Sequence, residues 1–140
     1  MMLKNLLIIA LSIFCNVIFA QKSNLFINVG GIKPNTGSLF VAVHVKENYL
    51  SKTHYATQVV KAKLENQQVE FYLPQGTYAI AIFQDYNGNQ VLDKNVMGIP
   101  QEPYTFSNSV RPKFRAPTFD EAKILIEDKT LTINLKLAAW

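Results

Sequence analysis

The residues best equipped for chemistry sit in one run, Asp85-Tyr86-Asn87-Gly88-Asn89-Gln90-Val91-Leu92-Asp93. Side-chain oxygens at Asp85, Asn87, Asn89 and Asp93 can converge on one hard cation, with the Val91 carbonyl as a fifth oxygen. Glu102 can supply another carboxylate from further along. Two or three carboxylates among neutral oxygens predict a weak Ca²⁺ site, on the order of 10⁻⁴ M or poorer, which is still relevant outside the cytoplasm. The same residues also make a tight Asn-Gly turn whose short polar side chains bond their own backbone.

The spacing follows the first nine positions of an EF-hand-like loop and then departs from it. Gln90 stands where that loop needs glycine, and Val96 where its bidentate glutamate belongs. A second group is Arg111, Lys113 and Arg115, which an extended segment aims to one side with Phe114 opposite. Such a basic ridge suits anionic polysaccharide or lipid headgroups, whereas on an edge strand the same charges block edge-to-edge association. Tyr86, Tyr104 and Tyr49 make an aromatic patch for a glycan or peptide if their loops share one end of the fold. Catalytic motifs are scarce. His44 and His54 lack metal-ligand spacing, and there is no Gly-x-Ser-x-Gly, His-Glu-x-x-His or phosphate-cradling glycine loop. The competing enzyme reading is a hydrolase or carbohydrate-active enzyme built on the acidic loop 85–102, with Asp85 and Asp93 or Glu102 as a glycosidase pair.

The elements that must hold these residues are strands, because apolar and polar residues alternate at period two and no helical period of useful length appears. Strands are expected over 25–29, 38–46, 57–64, 69–73, 77–84, 122–127 and 131–137, with a short edge strand at 111–115. The first two form a hairpin about Pro34-Asn35-Thr36-Gly37. The last two close a second hairpin about Asp128-Lys129-Thr130. Residues 77–84 are the most apolar stretch and belong at the centre, buried on both faces. Residues 47–56 read as a polar crossover with one helical turn, and 85–109 as a long loop. About seven short strands predict an all-β, antiparallel sandwich of immunoglobulin-like or prealbumin-like type. An outer-membrane barrel, suggested by the terminal Trp140, does not suit the long loop or the two-sided apolar strand.

With 140 residues, 49% hydrophobic and 17% charged, the chain fits one compact domain over residues 21–140 and excludes a disordered tail. Residues 1–20 are different material. Lys4 precedes an apolar run to Phe19 and then Ala20, which reads as a secretory signal peptide cleaved near Ala20, too short to span a bilayer. Lipoprotein processing is disfavoured because Phe14 precedes Cys15 where a small residue is needed. The mature chain then has no cysteine, no disulfide and no transmembrane segment, and is periplasmic or extracellular. Its formal charge of +4 for the whole chain is mild and does not point to nucleic acid. The expected partner is an envelope or extracellular ligand: a glycan, a peptide or a protein.

Several stretches together carry a family likeness. They are the run from Leu73-Pro74-Gln75-Gly76-Thr77-Tyr78 through Phe83-Gln84-Asp85-Tyr86-Asn87-Gly88-Asn89, then Gly98-Ile99-Pro100-Gln101-Glu102, Phe106-Ser107-Asn108 and Ala116-Pro117-Thr118-Phe119-Asp120-Glu121-Ala122. The chain resembles the secreted bacterial family known as domain of unknown function 2141 over nearly all of residues 21–140. The resemblance implies a compact extracytoplasmic β-sandwich with no established activity. At these positions Gly76 is expected in a turn with positive φ and Tyr78 as a ring laid across the sandwich end, while Phe106 and Phe119 fit core anchors. Glu102 and Asn108 cap backbone donors or complete a cation site. The reading that results is an exported binding or envelope-associated structural module with a weak calcium site in the 85–93 loop.

Overall fold

The computed structural model describes residues 22–139. The expected leader over 1–20, its cleavage near Ala20, Cys15 and Trp140 lie outside the described residues. Eight strands follow one another: β1 (Lys22–Gly30), β2 (Ser38–His44), β3 (Ala56–Lys61), β4 (Gln67–Pro74), β5 (Gly76–Asp85), β6 (Tyr104–Phe106), β7 (Lys123–Ile126) and β8 (Leu131–Lys136). One sheet has the order β4-β1-β8, and the other runs β3-β2-β5, with β6 and β7 sharing the second edge of β5. All pairs are antiparallel except β1 with β8, which run parallel with Leu25 opposite Leu131.

Alternation sets the core. Leu25, Ile27 and Val29 of β1 and Leu39, Val41 and Val43 of β2 all enter one cluster between the sheets, joined by Tyr78, Ile80 and Ile82 of β5. β5 is buried on its other face too, as expected for the central strand, because Ala79 and Phe83 pack with Phe40, Ala42, Phe106 and Phe119. Phe106 and Phe119 therefore anchor the segments that cover this outer face. Tyr49 and Leu92 pack against the same cluster from two loops.

Neither expected hairpin forms. The turn after β1 carries the chain from the three-stranded sheet to β2 in the other, and β7 pairs with β5 while β8 pairs with β1. The inward residues of each expected pair have to meet across the core, and a sandwich achieves that by switching sheets at the turn. Gly76, expected at positive φ, instead opens β5 without leaving the ordinary negative or extended region, and residues 111–115 are not a strand. Pro112 offers no N–H to a ladder, and Phe114 takes a left-handed φ of 63°. The expected long loop is interrupted by β6 and by a 3₁₀ turn at Ser107–Ser109. A single helical turn, α1 (Phe119–Ala122), begins at Thr118, whose side chain accepts from the Glu121 N–H while the Glu121 carboxylate accepts from the Thr118 N–H. Among the described residues no helix is long and apolar enough to cross a membrane.

Candidate functional site

β5 delivers the site. Its period of two turns Tyr78, Ile80, Ile82 and Gln84 inward and brings Asp85 to the strand end, where the side chain is only 1% exposed. Asp85 is spent on the backbone of its own loop. Oδ1 accepts the Gly88 N–H and Oδ2 the Gln90 N–H, each at 2.7 Å. Glu102, 3% exposed, does the same at the base of the loop, accepting the Tyr86 N–H at 2.8 Å and the Asp93 N–H at 3.0 Å. Two buried carboxylates thus satisfy four backbone donors that an irregular loop cannot pair by itself.

The outer part of the loop is a chain of Asx turns. Asn87 Oδ1 accepts the Asn89 N–H at 3.1 Å, and Asn89 Oδ1 accepts the Val91 N–H at 2.9 Å. Both side-chain amides then donate to Asp93, at 2.6 Å from Asn87 and 2.9 Å from Asn89. Gln90, at the position where an EF-hand-like loop has glycine, takes the left-handed conformation with φ 60°. The structure therefore brings Asp85, Asn87, Asn89, Asp93 and Glu102 into one loop, in which Asp85, Asn87, Asn89 and Glu102 accept backbone N–H groups and Asp93 accepts the two side-chain amides. No group of three or more His, Cys, Asp or Glu among the described residues is placed to hold a metal ion. The side chains that could face a cation are Asp93, Asn87 and Asn89 on the exposed rim. Their amides now place positive N–H edges against the Asp93 carboxylate, and reversing either amide would place an oxygen there instead.

Beyond the rim the loop forms a narrow finger. The Gln101 N–H donates to the Asp93 carbonyl at 2.8 Å, and Lys94 bridges to Pro100. The Asn95 N–H donates to the Ile99 carbonyl, and the Gly98 N–H donates back to the Asn95 carbonyl, each at 2.9 Å. Val96 and Met97 are the two central residues of the resulting turn.

Gln84 carries no obvious chemistry and was not among the sequence candidates, yet it builds the neighbouring loop. Fully buried, it donates from Nε2 to the carbonyls of Lys33 and Thr36 at 2.7 Å and accepts the Lys33 N–H at 2.9 Å. The signal for it lay in the strand pattern, which aims a glutamine into an apolar core. Beside it Gly37, at φ 61°, lies so close to the Asp85 carbonyl that a Cβ would come within 1.9 Å of the oxygen.

The basic ridge is dispersed. Arg111 donates to the carbonyls of Ala138 and Ala139 and stands 4.5 Å over the Tyr104 ring. Arg115 grips Glu121 through two bonds of 2.7 and 2.8 Å, and that guanidinium, with the Thr118 N–H, holds the Glu121 carboxyl down to about 2. Lys113 is exposed in the turn between them. The three tyrosines do not form one patch either. Tyr104 is buried, and Tyr49 donates to the Pro117 carbonyl at the far end, where burial raises its pKa to about 12. Tyr86 is exposed with Lys33 over its ring. The histidines, unrelated by spacing, do meet: their ring centroids are 5.1 Å apart, with His44 buried and its Nδ1–H donating to the Asn48 carbonyl.

A family model described as an uncharacterized protein conserved in bacteria, DUF2141, matches residues 27–134, and the chain belongs to that family. No curated protein and no solved structure matches the chain.

Proposed function

Starting from membership of this family, we propose that the chain is an exported binding module of the cell envelope that presents the 85–103 loop as a rigid platform and takes up Ca²⁺ weakly on its rim. The observation that carries this reading is the arrangement of Asp85, Asn87, Asn89 and Gln90. The loop winds around the Asp85 carboxylate with a left-handed residue at the sixth position, and this leaves Asn87, Asn89 and Asp93 together on the rim as the oxygens a hard cation can reach. Export is supported by the residue pattern of 1–20, a basic start followed by an apolar run and Ala20. Binding is favoured over hydrolysis by what Asp85 and Glu102 already do. Both carboxylates are buried and each of their four oxygens accepts a backbone N–H, so a sugar or a water reaches neither without opening the loop.

Thermal unfolding of residues 21–140 in excess chelator and in about 5 mM Ca²⁺ tests the calcium reading, since that level fills most of a millimolar-class site. The expected result is a higher midpoint with Ca²⁺ that Asp93→Asn abolishes. An unchanged midpoint would remove the metal and leave a platform ordered by hydrogen bonds alone.

A further inference from the structure

The loop end of the sandwich carries apolar side chains where turns ordinarily carry polar ones. Val96 is fully exposed and Met97 is 79% exposed, side by side at the tip of the finger. Central turn positions favour Gly, Asn, Asp and Ser, so two apolar residues held clear of the core signal a contact with something apolar. The finger cannot fold back to bury them. Asn95 Oδ1 accepts both the Met97 N–H at 2.9 Å and the Ile99 N–H at 3.0 Å, locking the turn from beneath. Glu102 fixes the finger's base through the Asp93 N–H.

Two more exposed apolar residues share this end, Val91 of the same loop and Leu64 of the loop between β3 and β4. That second loop is tied in through residues 31–37. The Ile32 N–H donates to the Glu65 carbonyl at 3.1 Å and the Asn35 N–H to the Ala62 carbonyl at 2.6 Å, while Lys33 reaches over Tyr86. The same end carries exposed lysines, Lys33, Lys63 and Lys94 in its loops and Lys61 and Lys136 at the ends of β3 and β8. The ion pairs found among the described residues, Arg115–Glu121, Lys123–Asp120 and Lys129–Glu127, use none of them. On the acidic side, Asp85 and Glu102 are buried against backbone donors and Asp93 faces two amides, which leaves Glu65 as the exposed carboxylate among these lysines.

An apolar tip on an end that also carries exposed lysines matches one surface in particular, where phosphates lie at the rim and acyl chains beneath. We propose that this end of the sandwich docks on an anionic phospholipid bilayer, with Val96 and Met97 entering the acyl boundary and the lysines meeting headgroup phosphates. Because the finger is already ordered, insertion requires little further ordering of the chain. The assignment rests on the binding-module reading and not on the cation.

Co-sedimentation of residues 21–140 with vesicles tests it, using equimolar phosphatidylglycerol and phosphatidylcholine against phosphatidylcholine alone, in chelator. The expected result is binding to the anionic vesicles that weakens with added salt. The double variant Val96→Ser/Met97→Ser should lose affinity by about tenfold or more, and Lys94→Glu by about fivefold or more. Both change exposed side chains, so their unfolding midpoints should match the parent and exclude misfolding. No preference for the anionic vesicles overturns the proposal. So does equal binding by the double variant, which would reduce the contact to charge alone and point to a polyanion in place of a bilayer. Vesicle binding without a calcium-dependent midpoint would support docking while the calcium reading fails, and the converse pattern would overturn docking alone.

Discussion

Replacing Asp85 with alanine measures how much of the loop is held by one buried carboxylate. The substitution removes two charge-assisted hydrogen bonds of 2.7 Å from the N–H groups of Gly88 and Gln90. A bond to a charged partner contributes about 1.5–3 kcal/mol when its loss leaves the donor unpaired. Gly88 and Gln90 are themselves exposed, so water can reach the released donors, and the sum falls toward the low end, about 3 kcal/mol. For a domain of this size, each kcal/mol moves the unfolding midpoint by roughly 3–6 °C, giving a fall of roughly 9–18 °C. The assay is circular-dichroism melting of residues 21–140 in chelator, so that no cation contributes. Asp93→Ala is the comparison, because that carboxylate is only partly buried and bonds side-chain amides, and it should cost below about 1 kcal/mol. Amide hydrogen exchange adds a local readout: the Gly88 and Gln90 protons should exchange faster in the Asp85 variant. Equal, small midpoint shifts for the two variants, with Gly88 and Gln90 exchange unchanged, would refute the claim that Asp85 organises the loop.

Burial holds the His44 pKa below its ordinary 6.5, with the Asn48 carbonyl opposing and His54 reinforcing the depression. The unfolded chain therefore takes up the proton first, so the stability tied to neutral His44 is intact above pH 6.5 and declines as pH falls below it. Melting curves from pH 8 to pH 5 should show this slope, and His44→Gln should flatten it; an identical slope in the variant would assign the effect to other groups. Gly37→Ala should destabilise by about 3 kcal/mol or more, since its Cβ would overlap the Asp85 carbonyl and its φ of 61° disfavours a side chain. A chemical denaturation midpoint within error of the parent would show that the turn and the end of β5 can separate freely.

The strands were legible because a sandwich needs one buried face per strand and writes that need as alternation. β5 could even be placed at the centre, since Ala79, Ala81 and Phe83 left no polar face. Strand pairing was not legible. Leu25-Ile27-Val29 and Leu39-Val41-Val43 carry the same pattern whether they sit side by side or face each other across the core, and the turn between them serves both. The acidic loop was legible as a cluster of oxygens, but their direction was not. That depended on where backbone donors were left over, and Asp85 and Glu102 turned toward them. Gln84 was passed over for a related reason: its three bonds go to main-chain groups of another loop, which no residue type advertises. The meeting of His44 with His54 follows from the crossover folding back over β2, a long-range event without a local signature.

The parallel pairing of β1 with β8 sets a timetable for the chain. β1 is the inner strand of its sheet, yet one of its two neighbours comes from the other end of the described sequence, with Leu25 opposite Leu131. The larger sheet can assemble much of its hydrogen bonding from β2, β3 and β5 while later residues are still emerging, but β1 keeps an open edge until β8 arrives. Contacts of such sequence separation form late and slowly. A chain interrupted before residue 131 would hold Leu25, Ile27 and Val29 in a strand with one ladder unfilled, an invitation to pair with another copy.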